Sequence, residues 1–123
     1  MLMARPDFLL FAGDGIAEGR TRVAVAGRQD DRKVVGFATV FIRTDGPELE
    51  DLFVDPDWRR RGVARRLVSD VVTTLQRRGH RHLWVTGNPH GSEFYLAIGF
   101  VETRRVVTPL STGLRMYLDL TRT

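Results

Sequence analysis

The sequence contains no cysteine among its 123 residues. Disulfide bonds, thiolate metal sites and a cysteine nucleophile are therefore excluded, and a reducing cytoplasm is the expected compartment. Long apolar runs are also missing, since the longest early one is Phe8–Ala12. That run is too short for a signal peptide or a membrane span, so we expect no membrane partner.

Lysine is nearly absent, since Lys33 is the single one. Arginine supplies the rest of the positive charge, and the net charge is +4. A basic balance suits either a nucleic acid or a phosphorylated cofactor. The histidines do not suggest a metal site, because His80 and His82 alternate along a strand edge and no third ligand has convincing spacing.

Length and pattern predict one domain over residues 1–123, with an N-terminal helix over about 1–20 and a core over 21–123. The helix rests on a cap at Asp7 and a patchy apolar face, and Gly13 and Gly15 weaken it. Alternating apolar residues predict strands at 20–27, 34–43, 48–54, 81–86, 100–107 and 114–120, and a short helix at 92–98.

The strongest helical pattern follows Gly62. Its apolar residues recur at helical spacing and form one continuous stripe, which comprises Ala64, Leu67, Val68, Val71, Val72 and Leu75. A strand, this helix and a further strand predict a right-handed parallel crossover. The expected fold is therefore of the α+β type, with a mixed, mostly antiparallel sheet flanked by helices.

An arginine-rich turn, Arg59–Ala64, joins the third strand to this helix and reads Arg-x-x-Gly-x-Ala. The first backbone N–H groups of a helix lack partners and lie at the positive end of its dipole, so such a turn can bind a phosphate. A glycine-containing turn can equally serve tight packing alone. The turn by itself does not decide between these interpretations.

The strand before the turn has an irregular pattern. Leu49 points to one face, whereas Leu52 and Val54 point to the other. A β-bulge near Glu50–Leu52 would restore the phase and bend the strand, and a loosely alternating edge strand is the alternative.

These segments occur in an order that closely resembles the GNAT superfamily of N-acetyltransferases, which use acetyl-CoA. The resemblance is carried by the strand Leu49–Pro56, the Arg-x-x-Gly-x-Ala turn, Asn88 and the sequence Tyr95-x-x-x-Gly99-Phe100. It implies a central parallel pair that splays around the cofactor, and transfer of an acetyl group to a primary amine of a small molecule or peptide. It implies no metal.

The resemblance also assigns cofactor-binding roles. Backbone N–H groups of the turn would hold the pyrophosphate, and the residues concerned are Arg59, Arg60, Arg61, Gly62, Val63 and Ala64. Phe53 and Val54 would pair with the pantetheine arm as an added strand does, and the Val54 N–H would stabilise the developing oxyanion. Asn88 would bond the arm or the strand end, although Asn-Pro is also an ordinary turn pair.

Two residues would then carry the proton transfers. Glu50 is the candidate general base, with Glu48 on the same face as the alternative, and a solvated carboxylate without a catalytic role is about equally compatible with the pattern. Tyr95 is the candidate acid for the leaving thiolate, and an aromatic ring packed over the core is its structural alternative.

The family normally begins with a strand and one more helix, whereas this chain is expected to begin at the second helix. The acceptor side is then incomplete or completed by a second subunit, which favours a homodimer. A CoA-binding module without competent catalysis is therefore the main rival. A nucleic-acid binder ranks lower, because the basic helix lacks interleaved aromatic residues.

Overall fold

A computed structural model of the chain describes residues 8–12, 21–27, 32–87, 91–107 and 112–121. Within these residues, seven strands form one sheet in the order β1-β2-β3-β4-β5-β7-β6. The strands are β1 (Phe8–Ala12), β2 (Thr21–Ala26), β3 (Lys33–Arg43), β4 (Gly46–Val54), β5 (His82–Gly87), β6 (Val101–Val107) and β7 (Thr112–Asp119). The helices are α1 (Val63–Arg77) and α2 (Ser92–Ala97), with a 3-10 turn at Pro56–Trp58.

The predicted α+β fold with a mixed sheet is confirmed. β4 and β5 run parallel, with Glu48 opposite Trp84 and Leu49 opposite Val85. The pairs β1–β2, β2–β3, β5–β7 and β6–β7 are antiparallel. The parallel pair is the one expected from the strand-helix-strand pattern around α1.

The N-terminal helix predicted over about residues 1–20 is wrong for Phe8–Ala12, which forms strand β1 against β2. A short run of consecutive apolar residues fits a buried strand as well as a buried helix, and pairing with β2 decides between them. A strand therefore does precede β2. The rest of the predicted helix, residues 1–7 and 13–20, lies outside the described residues.

The chain divides into two compact units. The first unit comprises Met1–Val40 and Asp51–Val71, and the second comprises Phe41–Glu50 and Val72–Thr123. In the first unit the buried apolar residues come from β2, β3 and α1: Ala24, Ala26, Val35, Ala38, Val40, Val63, Leu67, Val68 and Val71. In the second unit they are Leu49, Leu75, Leu83, Val85, Phe100, Leu114, Met116 and Leu120.

Helix α1 confirms the predicted apolar stripe. Four of the predicted stripe residues are buried: Leu67, Val68, Val71 and Leu75. Ala64 and Val72 are half-buried. Val63, which the pattern did not include, is also buried and is the first residue of the helix.

The burial pattern of β4 changes phase at Glu50 and Asp51, which are both exposed. Leu49 is buried before this point, whereas Leu52 and Val54 are half-buried after it. Such a shift is what a bulge at this position would produce. Within the part of the chain that the structure describes, no helix is long and apolar enough to cross a membrane.

A close approach between β3 and β4 depends on Gly36. A Cβ atom at this position would lie 2.8 Å from the backbone oxygen of Phe53 and 3.3 Å from side-chain carbons of Val63 and Leu67. The backbone at Phe53 can therefore approach β3 because residue 36 has no side chain.

We expect Gly36→Ala to lower the free energy of unfolding by about 1–3 kcal/mol, because the added methyl group must displace backbone. The melting temperature would fall by roughly 4 °C or more. Val34→Ala, at an exposed position of the same strand, is the control and should change stability by less than about 1 kcal/mol. Equal melting temperatures for the two variants would contradict the close approach.

Candidate active site

The turn before α1 is built by local hydrogen bonds in the first unit. The Asp57 N–H donates to the Asp55 carboxylate at 2.9 Å, and the Trp58 N–H donates to the Asp55 carbonyl oxygen at 2.8 Å. The Arg61 guanidinium lies 4.6 Å from the Trp58 ring centroid. Trp58 therefore packs against the turn through Arg61.

The turn itself is tightly bent. Arg60 has a φ of 64° and Gly62 a φ of 81°, both in the left-handed region. Such residues are components of the backbone nests that bind anions. The Gly62 carbonyl oxygen accepts from the Arg66 N–H at 3.0 Å, so Gly62 precedes the first turn of α1. A Cβ at Gly62 would meet nothing within 4 Å, so the space in front of the turn is open among the described residues.

The amides of this turn are not capped by the protein. Among the residues that the structure describes, no acceptor is found for the backbone N–H groups of residues 60–65. The first turn of α1 also carries no acidic residue, and the arginines at positions 59, 60, 61, 65 and 66 are all exposed. Cations at the positive end of a helix dipole are unfavourable unless an anion neutralises them. The turn therefore fits a phosphate group.

The end of β4 presents its backbone in two directions. The Asp55 N–H donates to the Val35 oxygen on β3 at 2.7 Å, so the alternation of a strand directs the N–H and C=O of Phe53 to β3 as well. Those of Val54 point to the opposite edge of β4. Of the two residues expected to pair with a pantetheine arm, Val54 has the suitable orientation.

In the second unit, a chain of alternating charges connects the two candidate bases. Glu50 bonds the Arg43 Nη2 at 2.5 Å, and Glu48 lies 3.5 Å from the Arg43 Nε. Glu48 also bonds the Arg115 Nη1 at 2.9 Å, and Arg115 Nη2 bonds Asp45 at 3.0 Å. The pKa of the Arg43 guanidinium is raised, chiefly by its hydrogen bond to Glu50. Glu48 and Glu50 thus lie on one face, as predicted.

The middle of this chain of charges is less exposed than its ends. The side chains of Arg115 and Glu48 are only 10% and 13% exposed, whereas those of Arg43 and Glu50 are 49% and 29% exposed. Arg115 also donates to Thr86 at 3.1 Å, and its guanidinium lies 4.8 Å from the Trp84 ring centroid. Arg115 and Glu48 therefore form a buried pair, whereas Asp45, the other partner of Arg115, is 57% exposed.

Tyr95 is positioned by the way α2 ends. The Phe100 N–H donates to the Tyr95 carbonyl oxygen at 3.0 Å, and the Gly99 N–H donates to Leu96 at 3.1 Å. With Gly99 at a φ of 112°, this is a Schellman motif, and the accompanying apolar contact is between the Tyr95 and Phe100 rings at 5.4 Å. The spacing Tyr-x-x-x-Gly-Phe is therefore explained by the Schellman motif that ends α2.

The Tyr95 ring is half-buried, and burial raises the pKa of its hydroxyl group. That hydroxyl finds no hydrogen-bond partner among the described residues. It is therefore protonated at neutral pH and available as a donor.

The remaining candidate, Asn88, lies outside the described residues. The part of the chain that is described contains no group of three or more metal-ligating side chains. Two arginines were missed in the sequence, Arg43 and Arg115. The available signal was a charged residue within the apolar run Leu114–Met116 of β7, which indicates a buried partner without identifying it.

The family model described as an acetyltransferase (GNAT) domain matches residues 13–115. The chain therefore belongs to the GNAT acetyltransferase family. The match includes the turn, both candidate bases and Tyr95.

The chain is also similar to individual members. It is 31% identical over 86 residues to the [ribosomal protein bS18]-alanine N-acetyltransferase of Escherichia coli K12, covering 66% of this chain and 58% of that protein. It is 33% identical over 89 residues to an aminoglycoside N(6')-acetyltransferase type 1 of Salmonella typhimurium, covering 63% of this chain and 61% of that protein. The chain thus spans well under two thirds of these relatives.

Solved structures show the same fold. Ard1 from Thermoplasma volcanium superposes with a TM-score of 0.73 at 18% identity, covering 84% of this chain and 72% of that one. An aminoglycoside 6'-N-acetyltransferase complexed with coenzyme A gives a TM-score of 0.73 at 16% identity, covering 89% of this chain and 78% of that one.

We expect Arg115→Met to lower the free energy of unfolding by about 3 kcal/mol, because it leaves the carboxylate of half-buried Glu48 without its nearest cation. Thermal and denaturant unfolding measure the loss. Arg105→Met, at an exposed position on β6, is the matched control and should change stability by less than about 1 kcal/mol. Similar losses in both variants would argue against a buried charge cluster.

Proposed function

We propose that this chain is an N-acetyltransferase that moves the acetyl group of acetyl-CoA to a primary amine by direct attack. The observation that carries the proposal is the run of uncapped amides at the start of α1, in a member of the GNAT family. Acetyl-CoA supplies the acetyl group as an activated thioester.

The turn Arg59–Ala64 holds the pyrophosphate through its backbone N–H groups in this proposal. Charge-assisted hydrogen bonds of this kind contribute roughly 1.5–3 kcal/mol each. Gly62 acts through its missing side chain and left-handed φ, while the exposed arginines on either side add positive charge. Their long side chains are not required to set the geometry.

Val54 serves the pantetheine arm and the thioester. Its N–H and C=O point away from β3, where they can pair with an extended amide chain as an added strand does. The N–H then hydrogen bonds the carbonyl oxygen as negative charge develops on it. Phe53 lines the same strand end, and Asn88 bonds the arm or the strand end.

Two side chains move the protons. Glu50 accepts a proton from the attacking amine, directly or through water, and Tyr95 donates one to the leaving thiolate. Burial keeps the Tyr95 hydroxyl protonated, which suits a donor. The proposed mechanism has no covalent enzyme intermediate, because the chain has no cysteine and no serine in the setting of a nucleophile.

The acceptor is proposed as a primary amine of a small molecule or peptide. The relatives named above act on the alanine of a ribosomal protein and on aminoglycosides, according to their names. Both acceptors are amines. The cluster of Asp45, Glu48 and Glu50 with two arginines has a net charge of −1, which suits a cationic amine near it.

Saturating acetyl-CoA, at about a hundred times its dissociation constant, should raise stability by roughly 2.7 kcal/mol. The melting temperature would then rise by several degrees. No shift would contradict both the enzyme and a CoA-binding module. A shift without release of free thiol across a broad amine panel would favour the module.

Gly62→Glu should abolish acetyl-CoA binding, since it places bulk and negative charge at the phosphate turn. Gly62→Ala is the matched control, because both variants carry the same left-handed strain of about 1–2 kcal/mol but only one blocks an anion. Isothermal titration of acetyl-CoA into folded samples measures the difference. Equal affinity in the two variants would refute the phosphate role of the turn.

Tyr95→Phe should reduce kcat by about a hundredfold, the size expected for loss of a general acid. The Kd for acetyl-CoA should change little, because the ring and the Schellman motif are retained. Steady-state kinetics and titration separate the two effects. A kcat equal to that of the wild type would remove Tyr95 from the mechanism.

A further inference from the structure

Arg43 connects two carboxylates of β4 through two different nitrogen atoms. Its Nη2 bonds Glu50 at 2.5 Å, and its Nε lies 3.5 Å from Glu48. The guanidinium also lies 5.7 Å from the centroid of the Phe41 ring. Three neighbours thus restrict a side chain at the end of β3 that would otherwise be free to move.

Stability does not explain this arrangement. The Arg43 and Glu50 side chains are 49% and 29% exposed, and ion pairs at exposed positions contribute little to folding. Fixing an arginine in one position nevertheless costs rotamer freedom. A guanidinium held on three sides at an exposed position therefore suggests a role other than stabilisation.

The same contacts distinguish the two candidate bases. Glu48 has two cationic neighbours, since Arg43 and the buried Arg115 both contact its Oε1. Glu50 has Arg43 alone, bonded to its Oε2, and its Oε1 has no partner among the described residues. Each glutamate thus keeps one carboxylate oxygen without a partner among the described residues, but the Glu50 side chain is 29% exposed against 13% for Glu48, so Glu50 is more accessible to a further ligand.

We propose that Arg43 is a positioning residue that ties Glu50 to the anchored Glu48 and directs its second carboxylate oxygen to the acceptor amine. Glu48 is held in place by the buried Arg115 and does not act as the base. The inference rests on the proposed function, in which Glu50 accepts the proton. It deepens that proposal by separating the roles of the two glutamates.

The test compares Arg43→Gln with the wild type and with Arg105→Gln, an exposed arginine on β6, as the matched control. We expect Arg43→Gln to lower kcat about tenfold or more, because a misplaced base costs rate. The KM for acetyl-CoA and the melting temperature should stay close to the wild-type values. The control should match the wild type in all three measurements.

Arg43→Lys provides the conservative rescue. Lysine keeps the charge, but its single ammonium group cannot reproduce a planar fork that contacts two carboxylates. Its kcat should fall between those of the wild type and Arg43→Gln. Full activity in Arg43→Gln, or a parallel loss of melting temperature and acetyl-CoA affinity, would overturn the positioning role.

A double-mutant cycle tests whether Arg43 acts through Glu50. In the Glu50→Gln background, adding Arg43→Gln should lower kcat no further, since residues that act as a unit are not additive. A further drop of about tenfold would overturn the inference.

If the wild type transfers no acetyl group to any amine, the proposed function falls and this inference with it. If the wild type is active and Arg43→Gln is equally active, this inference alone falls.

Discussion

Burial of one apolar face of α1 is the constraint on which the rest of the structure depends. Val63 and Leu67 are buried at the start of the helix, so the chain cannot shift or unwind there without exposing them. This anchoring holds the preceding turn in place and leaves its amides directed away from the core. The proposed phosphate site is thus a by-product of packing: the buried residues fix the backbone, and the exposed arginines supply the charge.

Residues with strong local patterns could be predicted from the sequence. The stripe of α1 and the alternation of β2, β3 and β5 indicated these elements, and burial follows the same period in each of them. Strands β6 and β7 were also predicted, although β6 is almost wholly exposed and β7 has four consecutive buried residues. The parallel pairing of β4 with β5 followed from the strand-helix-strand order. The pattern of the five residues of β1 did not identify the element that they form. Their pattern fits either structure, and a strand formed because β2 offered a partner.

The site was predictable to the extent that it is local. The turn and Tyr95 belong to short segments that are held by hydrogen bonds between residues close in sequence. The Schellman motif explains why Gly99 and Phe100 accompany Tyr95. Arg43 and Arg115 were not predictable in this way. Arg115 and its partner Asp45 are separated by 70 positions along the chain, so nothing in either segment indicates the other.

The alternating charges from Glu50 to Asp45 respond unequally to ionic strength. The Debye length is about 8 Å under physiological conditions, and mobile ions screen exposed pairs far more than buried ones. Added electrolyte therefore weakens the attraction between Arg43 and Glu50 at one end and between Arg115 and the exposed Asp45 at the other, while the central pair of Arg115 and Glu48 remains largely shielded. The cluster thus combines a fixed, electrolyte-insensitive centre with two ends whose attraction varies with the surrounding medium.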